Sequence, residues 1–273
     1  MPLVDPIIMS TTLAKGAAAQ AQAQVAFSKT APVSPATTLR PVQIRPTPLA
    51  QATRHALPAL LAVLFIARFR PLVTDPVSAM ATALPFVAAL QVAYAVLCLP
   101  APGSTQTGSG GGGGARKAPK LRPGESIKRR AGADAGAPNA VATSLLSLVL
   151  SLLVSPFLYA AMILFGAPFL THSAHTFLCA AHLAVLTLLP LFFVHGVDGS
   201  AWAVVGSFSA PLDETFGGLL GGMVGAWLGA VPIPLDWDRE WQRWPVTILC
   251  GLYGGVRTRT SCGRDIGLGK ELL

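Results

Sequence analysis

The run from Val77 to Leu99 contains no charged side chain and is long enough to form one complete transmembrane helix. A helix needs about 20 mostly apolar residues to cross the hydrocarbon core of a bilayer. Only 12% of all residues are charged and 52% are hydrophobic, a composition typical of membrane proteins. The sequence therefore predicts an all-α, polytopic integral membrane protein with about six transmembrane helices. The predicted spans are 57–73, 77–99, 140–165, 175–194, 216–231 and 244–256.

Polar segments divide the chain into five regions. The N-terminal region is rich in Ala, Gln, Pro and Thr, and a later segment is rich in Gly, Lys and Arg; neither contains enough apolar residues to form a core. The predicted regions are a disordered N-terminal arm (1–48), a transmembrane hairpin of two spans (49–99), a flexible basic cytosolic loop (100–139), a four-span membrane region (140–256) and a polar C-terminal tail (257–273).

The net charge of +8 is better explained by membrane topology than by a nucleic-acid partner. With six spans and a cytosolic N-terminus, 16 of the 20 Lys and Arg residues lie on the cytosolic side. The positive-inside rule favours this orientation, which places residues 232–245 on the lumenal side. If the last run does not span, the split falls to 12 against 8 and the orientation loses most of its support.

Glycines recur every four residues along two neighbouring rows of the fifth span. Each interior glycine costs about 1 kcal/mol in a soluble helix, but in a membrane such a surface lets another helix approach closely. We favour packing within the same chain over packing against a partner helix. The two rows are Gly217, Gly221, Gly225 and Gly229, and Gly218, Gly222 and Ala226.

A polar turn with an unusual composition follows the glycine span. Pro232 and Pro234 are expected to end the helix. If residues 236–244 are helical, three tryptophans lie on one face, where they favour the boundary between hydrocarbon and water. The charged residues of the turn then face water or pair with each other. The tryptophans are Trp237, Trp241 and Trp244, and the charged residues are Asp236, Asp238, Arg239, Glu240 and Arg243.

No residue set points clearly to catalysis. Asp236, Asp238 and Glu240 could bind a metal, but the neighbouring arginines offer simple ion pairs. His172, His175 and His182 share one helical face, yet no acid accompanies them, so polar contacts between helices are preferred. We therefore predict no catalytic residue, no metal site and no cofactor.

The segment "GAWLGAVPIPLDWDREWQRWPVTILCGLYGG", residues 225–255, resembles the signature of the PIG-F family of glycosylphosphatidylinositol (GPI) anchor biosynthesis. In that family a glycine-rich span leads into a PIPLDWDRPWQxWP-like turn and a last span. The family's motif residues map to Gly221, Gly225, Gly229, Pro232, Pro234, Asp236, Trp237, Asp238, Trp241, Trp244 and Pro245. The chain differs from the pattern at Glu240, where proline is expected, and after Val256, where it becomes polar.

The resemblance implies a multi-pass protein of the endoplasmic reticulum that has no catalytic centre of its own. Members of this family bind and stabilise the PIG-O-like and PIG-G-like ethanolamine phosphate transferases, which add phosphoethanolamine to GPI mannoses on the lumenal side. Two alternatives remain open: the chain could transfer a lipid headgroup itself, or it could transport a lipid at the helix break after Val231.

Overall fold

The structure is a computed structural model that describes residues 39–100, 139–235 and 238–257, and within these ranges it contains helices but no strand. Five helical segments are long and apolar enough to cross a membrane, which confirms the predicted all-α membrane class. The helices are α1 (Pro48–Thr74), α2 (Pro76–Cys98), α3 (Ala140–Leu164), α4 (Ser173–His195), α5 (Gly199–Gly206), α6 (Glu214–Ala230) and α7 (Val246–Arg257), with 3₁₀ turns at Ile233–Leu235 and Glu240–Gln242.

Side-chain caps explain where three of the long helices begin. The Thr47 hydroxyl accepts a hydrogen bond from the backbone N–H of Ala50 at 3.2 Å, and the first residue of α1 is a proline. The Asp75 carboxylate caps α2 in the same way, again followed by proline, and Asn139 caps α3. Short polar side chains before proline or alanine are typical helix-start signals, so these boundaries follow from local sequence.

Short connections arrange six helices as three antiparallel hairpins: α1–α2, α3–α4 and α6–α7. Helix α4 is the central element, because 89% of its most apolar 18-residue stretch is buried, compared with 17% for α1 and for α3. Three connections meet at one end of the bundle, which we call the loop end, through Asp75, residues 168–172 and residues 243–244. The other end carries the start of α1 and of α6.

A row of serines allows α3 to pack closely on α4. Ser144, Ser147, Ser151 and Ser155 are the buried residues of α3, although the helix is otherwise strongly apolar. Their hydroxyls donate to carbonyls of the preceding turn, for example Ser151 to Ser147 O at 2.7 Å. Small side chains that satisfy their own polar groups are typical of tight helix contacts in membranes.

A short helix lies between the second and third hairpins. Asp198 caps α5 by accepting from the backbone N–H and hydroxyl of Ser200 at 3.0 and 2.8 Å, and these hydrogen bonds lower the pKa of the Asp198 carboxyl. Trp202 packs on Phe192 of α4, with ring centroids 4.6 Å apart, and donates to Gly196 O. Helix α5 is therefore held against the C-terminal end of α4.

Part of the predicted N-terminal arm contacts the helices. Val42 is buried, and its N–H donates to an Asp213 carboxylate oxygen at 2.9 Å. The N–H of Arg45 donates to Cys98 O, also at 2.9 Å. Residues 39–47 thus pack on the bundle, whereas 1–38 and most of the predicted loop and tail lie outside the described residues, so the predicted domain boundaries stay predictions.

The predicted sixth span is helical but short. Helix α7 has 12 residues, which corresponds to about 18 Å of helix against a hydrocarbon core of about 30 Å. Within the described residues, five helices reach spanning length and α7 is a shorter apolar helix. The structure thus supports five of the six predicted spans by length, while the sixth span and the orientation of the chain in a membrane stay predictions.

Candidate interaction site: the glycine hairpin and its turn

Helices α6 and α7 meet through their backbones. The nearest neighbours of Gly225 are backbone atoms of Gly251 and Gly255, and those of Gly229 are backbone atoms of Thr247 and Ile248. Gly221 contacts Gly255 in the same way. The register is antiparallel, and glycines spaced four residues apart on α6 face glycines spaced four residues apart on α7.

This contact leaves no space for a side chain. A Cβ atom added at Gly225 would lie 3.0 Å from the Gly255 Cα and even closer to the Gly251 carbonyl. A Cβ added at Gly229 would lie 2.8 Å from the Ile248 Cα. The preferred hypothesis of packing within the chain is therefore confirmed for this face, and a partner helix cannot occupy it. Gly217 lies outside the contact, with nothing within 4 Å of its added Cβ.

The opposite face of α6 is apolar and exposed. Met223, Val224, Trp227 and Leu228 have between 45 and 68% of their surface accessible. They fall on two adjacent rows that point away from α7, since the glycines that face α7, Gly225 and Gly229, lie on the other side of the helix. This outer face is covered by lipid or by another protein in a membrane, because large apolar side chains occupy it throughout.

The turn between α6 and α7 differs from its predicted form. Helix α6 ends at Ala230, two residues before Pro232, as expected. Asp236 and Trp237 lie outside the described residues. Within 238–244 only Glu240–Gln242 is helical, as a single 3₁₀ turn flanked by extended Arg239. The condition for placing three tryptophans on one face, a helix over residues 236–244, is therefore not met in residues 238–244.

Trp244 points into the protein and holds the turn against α4. Its indole N–H donates to the Thr176 hydroxyl at 3.1 Å. The following residue, Pro245, is buried at the start of α7, while Pro234 at the other side of the turn is exposed. Trp244 is half-buried, and its position is fixed by this internal hydrogen bond and not only by a preference of tryptophan for the membrane boundary. The hydrogen bond therefore fixes the end of the turn, at Trp244, on α4.

Four charged side chains of the turn are described, and all four are exposed. They are Asp238, Arg239, Glu240 and Arg243, and no ion pair forms among these four residues. Of the two alternatives, exposure rather than pairing with each other holds for these four residues, and Asp236 lies outside the described residues. Trp241 is half-buried and lies on the 3₁₀ turn.

The histidines separate into a pair and a buried residue. His172 and His175 stack edge to face at the loop end, with centroids 4.9 Å apart. His182 is buried in α4, where its ring nitrogens contact the Met80 carbonyl at 3.1 Å and the Tyr253 hydroxyl at 3.0 Å. The predicted polar contact between helices is confirmed for His182. In the described part of the chain, no three His, Cys, Asp or Glu residues are placed to hold a metal ion.

Sequence reasoning missed a buried ionic cluster at the end opposite the loops. Arg54 of α1 forms an ion pair with Glu214 of α6, and the Tyr94 hydroxyl donates to the same carboxylate at 3.0 Å. Arg54 precedes the predicted first span (57–73), and the structure places it in the second turn of α1. The available signal was weak: one charge next to each of two apolar runs.

The Asp213 carboxylate accepts a second set of hydrogen bonds at the same end of the bundle. One carboxylate oxygen accepts from the N–H groups of Thr215 and Phe216 at 2.8 and 2.9 Å, which caps α6. The other oxygen accepts from Val42. Asp213 and Glu214 thus have structural contacts far from Asp238 and Glu240 in the turn, so the two acidic groups do not form one site.

Comparisons with known proteins give the relatives of the chain. The family model described as "GPI biosynthesis protein family Pig-F" matches residues 56–264. The chain is 57% identical to glycosylphosphatidylinositol anchor biosynthesis protein 11 of Neurospora crassa, covering 99% of this chain and all of the relative. It is 45% identical to the protein of that name from Pyricularia oryzae, over 97% of this chain and 96% of the relative.

A human relative carries a more specific name. The human "GPI ethanolamine phosphate transferase, stabilizing subunit" is 39% identical over 93 residues, which cover 33% of this chain and 42% of the relative. No solved structure matches the chain significantly. The family match spans most of the chain, and the fungal relatives cover it almost completely, so the chain belongs to the Pig-F family of GPI biosynthesis proteins.

Proposed function

We propose that this chain is a non-catalytic subunit that stabilises GPI ethanolamine phosphate transferases in the endoplasmic reticulum membrane. The single observation that carries the proposal is the name of the human relative, a stabilizing subunit of such a transferase. The proposed partners are the PIG-O-like and PIG-G-like transferases. The proposed orientation has a cytosolic N-terminus and a lumenal loop end, which places 16 of the 20 Lys and Arg residues on the cytosolic side if α7 spans and 12 of the 20 if it does not.

The outer face of α6 is the proposed contact surface for the transferase. The glycine face of the same helix already packs on α7, so it offers no surface to a partner. The outer face instead presents four large apolar side chains beside the exposed turn. A partner helix that packs there would bury apolar surface and gain close contacts. The turn would then lie beside the partner at the lumenal surface.

A matched pair of substitutions tests this surface. Val224 lies on the outer face of α6 with 53% of its surface exposed, and Val149 lies on α3 with 60% exposed. Val224→Trp adds bulk where the partner is expected, and Val149→Trp adds the same bulk to a different exposed face. The measurement is the amount of transferase that copurifies with each full-length variant in mild detergent, normalised to the recovered subunit.

We expect Val224→Trp to reduce copurified transferase at least fivefold, since a bulky side chain in a packed interface costs about 1–3 kcal/mol. Val149→Trp should match the parent. Equal copurification of both variants with the parent would remove the outer face of α6 from the proposal. Absence of any transferase in the parent preparation would contradict the proposed function itself.

A further inference from the structure

The loop end contains an open cleft of about 600 Å³ that all three helix connections line. The first connection contributes Asp75, the second contributes His172 and His175, and the third contributes Arg243 and Trp244. These residues come from three hairpins that are distant in sequence. Apolar atoms of Val73 and the prolines Pro76 and Pro168 complete the wall. The cleft is large enough for a polar headgroup and lies where a membrane lipid would present one.

One side of the cleft favours an anion. Arg243 is exposed, and within the described ranges it forms no ion pair. The N-terminus of the 23-residue helix α4 opens beside it, and its N-cap residue His172 makes no side-chain cap hydrogen bond. A guanidinium group, imidazole donors and an uncapped helix N-terminus are groups that bind phosphate oxygens.

The other side of the cleft favours a cation. The Asp75 carboxylate caps α2 at 3.3 Å from the Ser78 N–H, and in the described residues it has no cationic side chain as an ion-pair partner. The carboxylate therefore brings a negative charge to the cleft that also contains Arg243. The Trp244 ring adds an aromatic surface of the kind that attracts ammonium groups. The cleft thus contains binding groups for a negative and a positive charge, with Asp75 close enough to His175 for an electrostatic interaction.

We propose that this cleft binds a zwitterionic phosphate headgroup, with the phosphate at Arg243, His172 and His175 and the ammonium group at Asp75. Two sources supply this chemistry: the headgroup of a membrane phospholipid and a free phosphorylated amino alcohol. The inference goes beyond the proposed stabilising role, because it assigns a ligand to this chain. It does not depend on any contact with a transferase.

Native mass spectrometry of the detergent-purified full-length chain tests the proposal. The probes are phosphatidylethanolamine, phosphatidylglycerol and diacylglycerol with identical acyl chains, and free phosphoethanolamine as a competitor. The variants are Arg243→Gln and Asp75→Asn. The matched control is Arg239→Gln, since Arg239 is an exposed arginine of the same turn that does not line the cleft.

We expect the parent to bind phosphatidylethanolamine more tightly than diacylglycerol. Arg243→Gln should weaken both phospholipids about tenfold, as expected for the loss of a charge-assisted hydrogen bond, while Arg239→Gln should not. Asp75→Asn keeps a side-chain oxygen that can cap α2, so it should weaken phosphatidylethanolamine and leave phosphatidylglycerol unchanged. If free phosphoethanolamine displaces phosphatidylethanolamine, the soluble compound is a sufficient ligand. If it does not displace the lipid, the ligand is the intact phospholipid.

Equal affinity for diacylglycerol and phosphatidylethanolamine would overturn the proposal. Equal losses of phospholipid affinity in Arg243→Gln and Arg239→Gln would also overturn the proposal, because the positive charge of the turn alone would then explain binding. If Arg243→Gln is not recovered in folded form, the Asp75→Asn variant decides the proposal. Its loss of affinity must then affect phosphatidylethanolamine and not phosphatidylglycerol. None of these outcomes depends on transferase recovery, so this proposal and the proposed function can fail separately.

Discussion

The two ends of the helix bundle contain similar polar residues in different arrangements. At one end Arg54 and Tyr94 both contact Glu214, and all three residues are largely removed from solvent. At the loop end Asp75 and Arg243 share an open cleft without forming an ion pair. Both ends bring together residues from different hairpins, so both depend on the complete fold.

The difference separates polar residues that stabilise the chain from those available to a ligand. A charge that is paired and buried contributes to the position of its helices, and removing its partner is costly. An exposed charge contributes little to stability. We therefore expect substitutions at the first end to change folding and substitutions at the loop end to change binding.

The largest effect on stability is expected at the contact between α6 and α7, two helices that run between the ends of the bundle. Gly225→Leu inserts a side chain between α6 and α7, where a Cβ alone would collide with the backbone of Gly251. Because backbone cannot move aside cheaply, we expect a loss of more than about 5 kcal/mol in the free energy of unfolding. The measurement is unfolding in mixed micelles, together with the recovery of monodisperse protein.

The matched control for this variant is Gly217→Leu on the same helix, where no atom lies within 4 Å of the added Cβ. It should be neutral or slightly stabilising, since leucine has a higher helix propensity than glycine. Similar losses in both variants would show that close packing with α7 is not the cause.

The second-largest loss of stability is expected from a substitution in the ionic cluster, and it should not affect the loop end. Glu214→Gln preserves an acceptor for Tyr94 but removes the negative charge that pairs with Arg54. We expect a loss of about 3 kcal/mol in the free energy of unfolding, because the Arg54 guanidinium then loses its partner while it is mostly buried. Headgroup binding at the loop end should remain within twofold of the parent once the protein is folded.

A double substitution checks the cause of that loss. Adding Arg54→Met to Glu214→Gln removes the cation that has lost its partner, so the double variant should be more stable than Glu214→Gln alone. A double variant whose loss equals the sum of the two single losses would contradict the ion pair as the source of the effect.

Much of the fold could be predicted because its signals are local. Apolar runs mark the long helices, and Asp75 before Pro76 and Asn139 before Ala140 mark their starts. The face of α6 that packs was also visible, since glycines recur every four residues. Its partner could have been found from Gly251 and Gly255, which show the same spacing.

The remaining features depend on contacts between distant residues. Arg54 and Glu214 are far apart in sequence, and nothing in either segment specifies the other as its partner. Trp244 suggested the membrane boundary by its residue type, but the position of Thr176 on α4 decided its contact. The cleft at the loop end combines three connections, so it exists only after the hairpins have packed.

The smallest effect on stability is expected at the loop end. Arg243→Gln removes an exposed charge that has no ion pair in the described residues, so the free energy of unfolding should change by less than about 0.5 kcal/mol. The same preparation should show the tenfold loss in phospholipid affinity. A loss of stability comparable to that of Glu214→Gln would mean that Arg243 supports the fold, and the contrast between the two ends would then no longer hold.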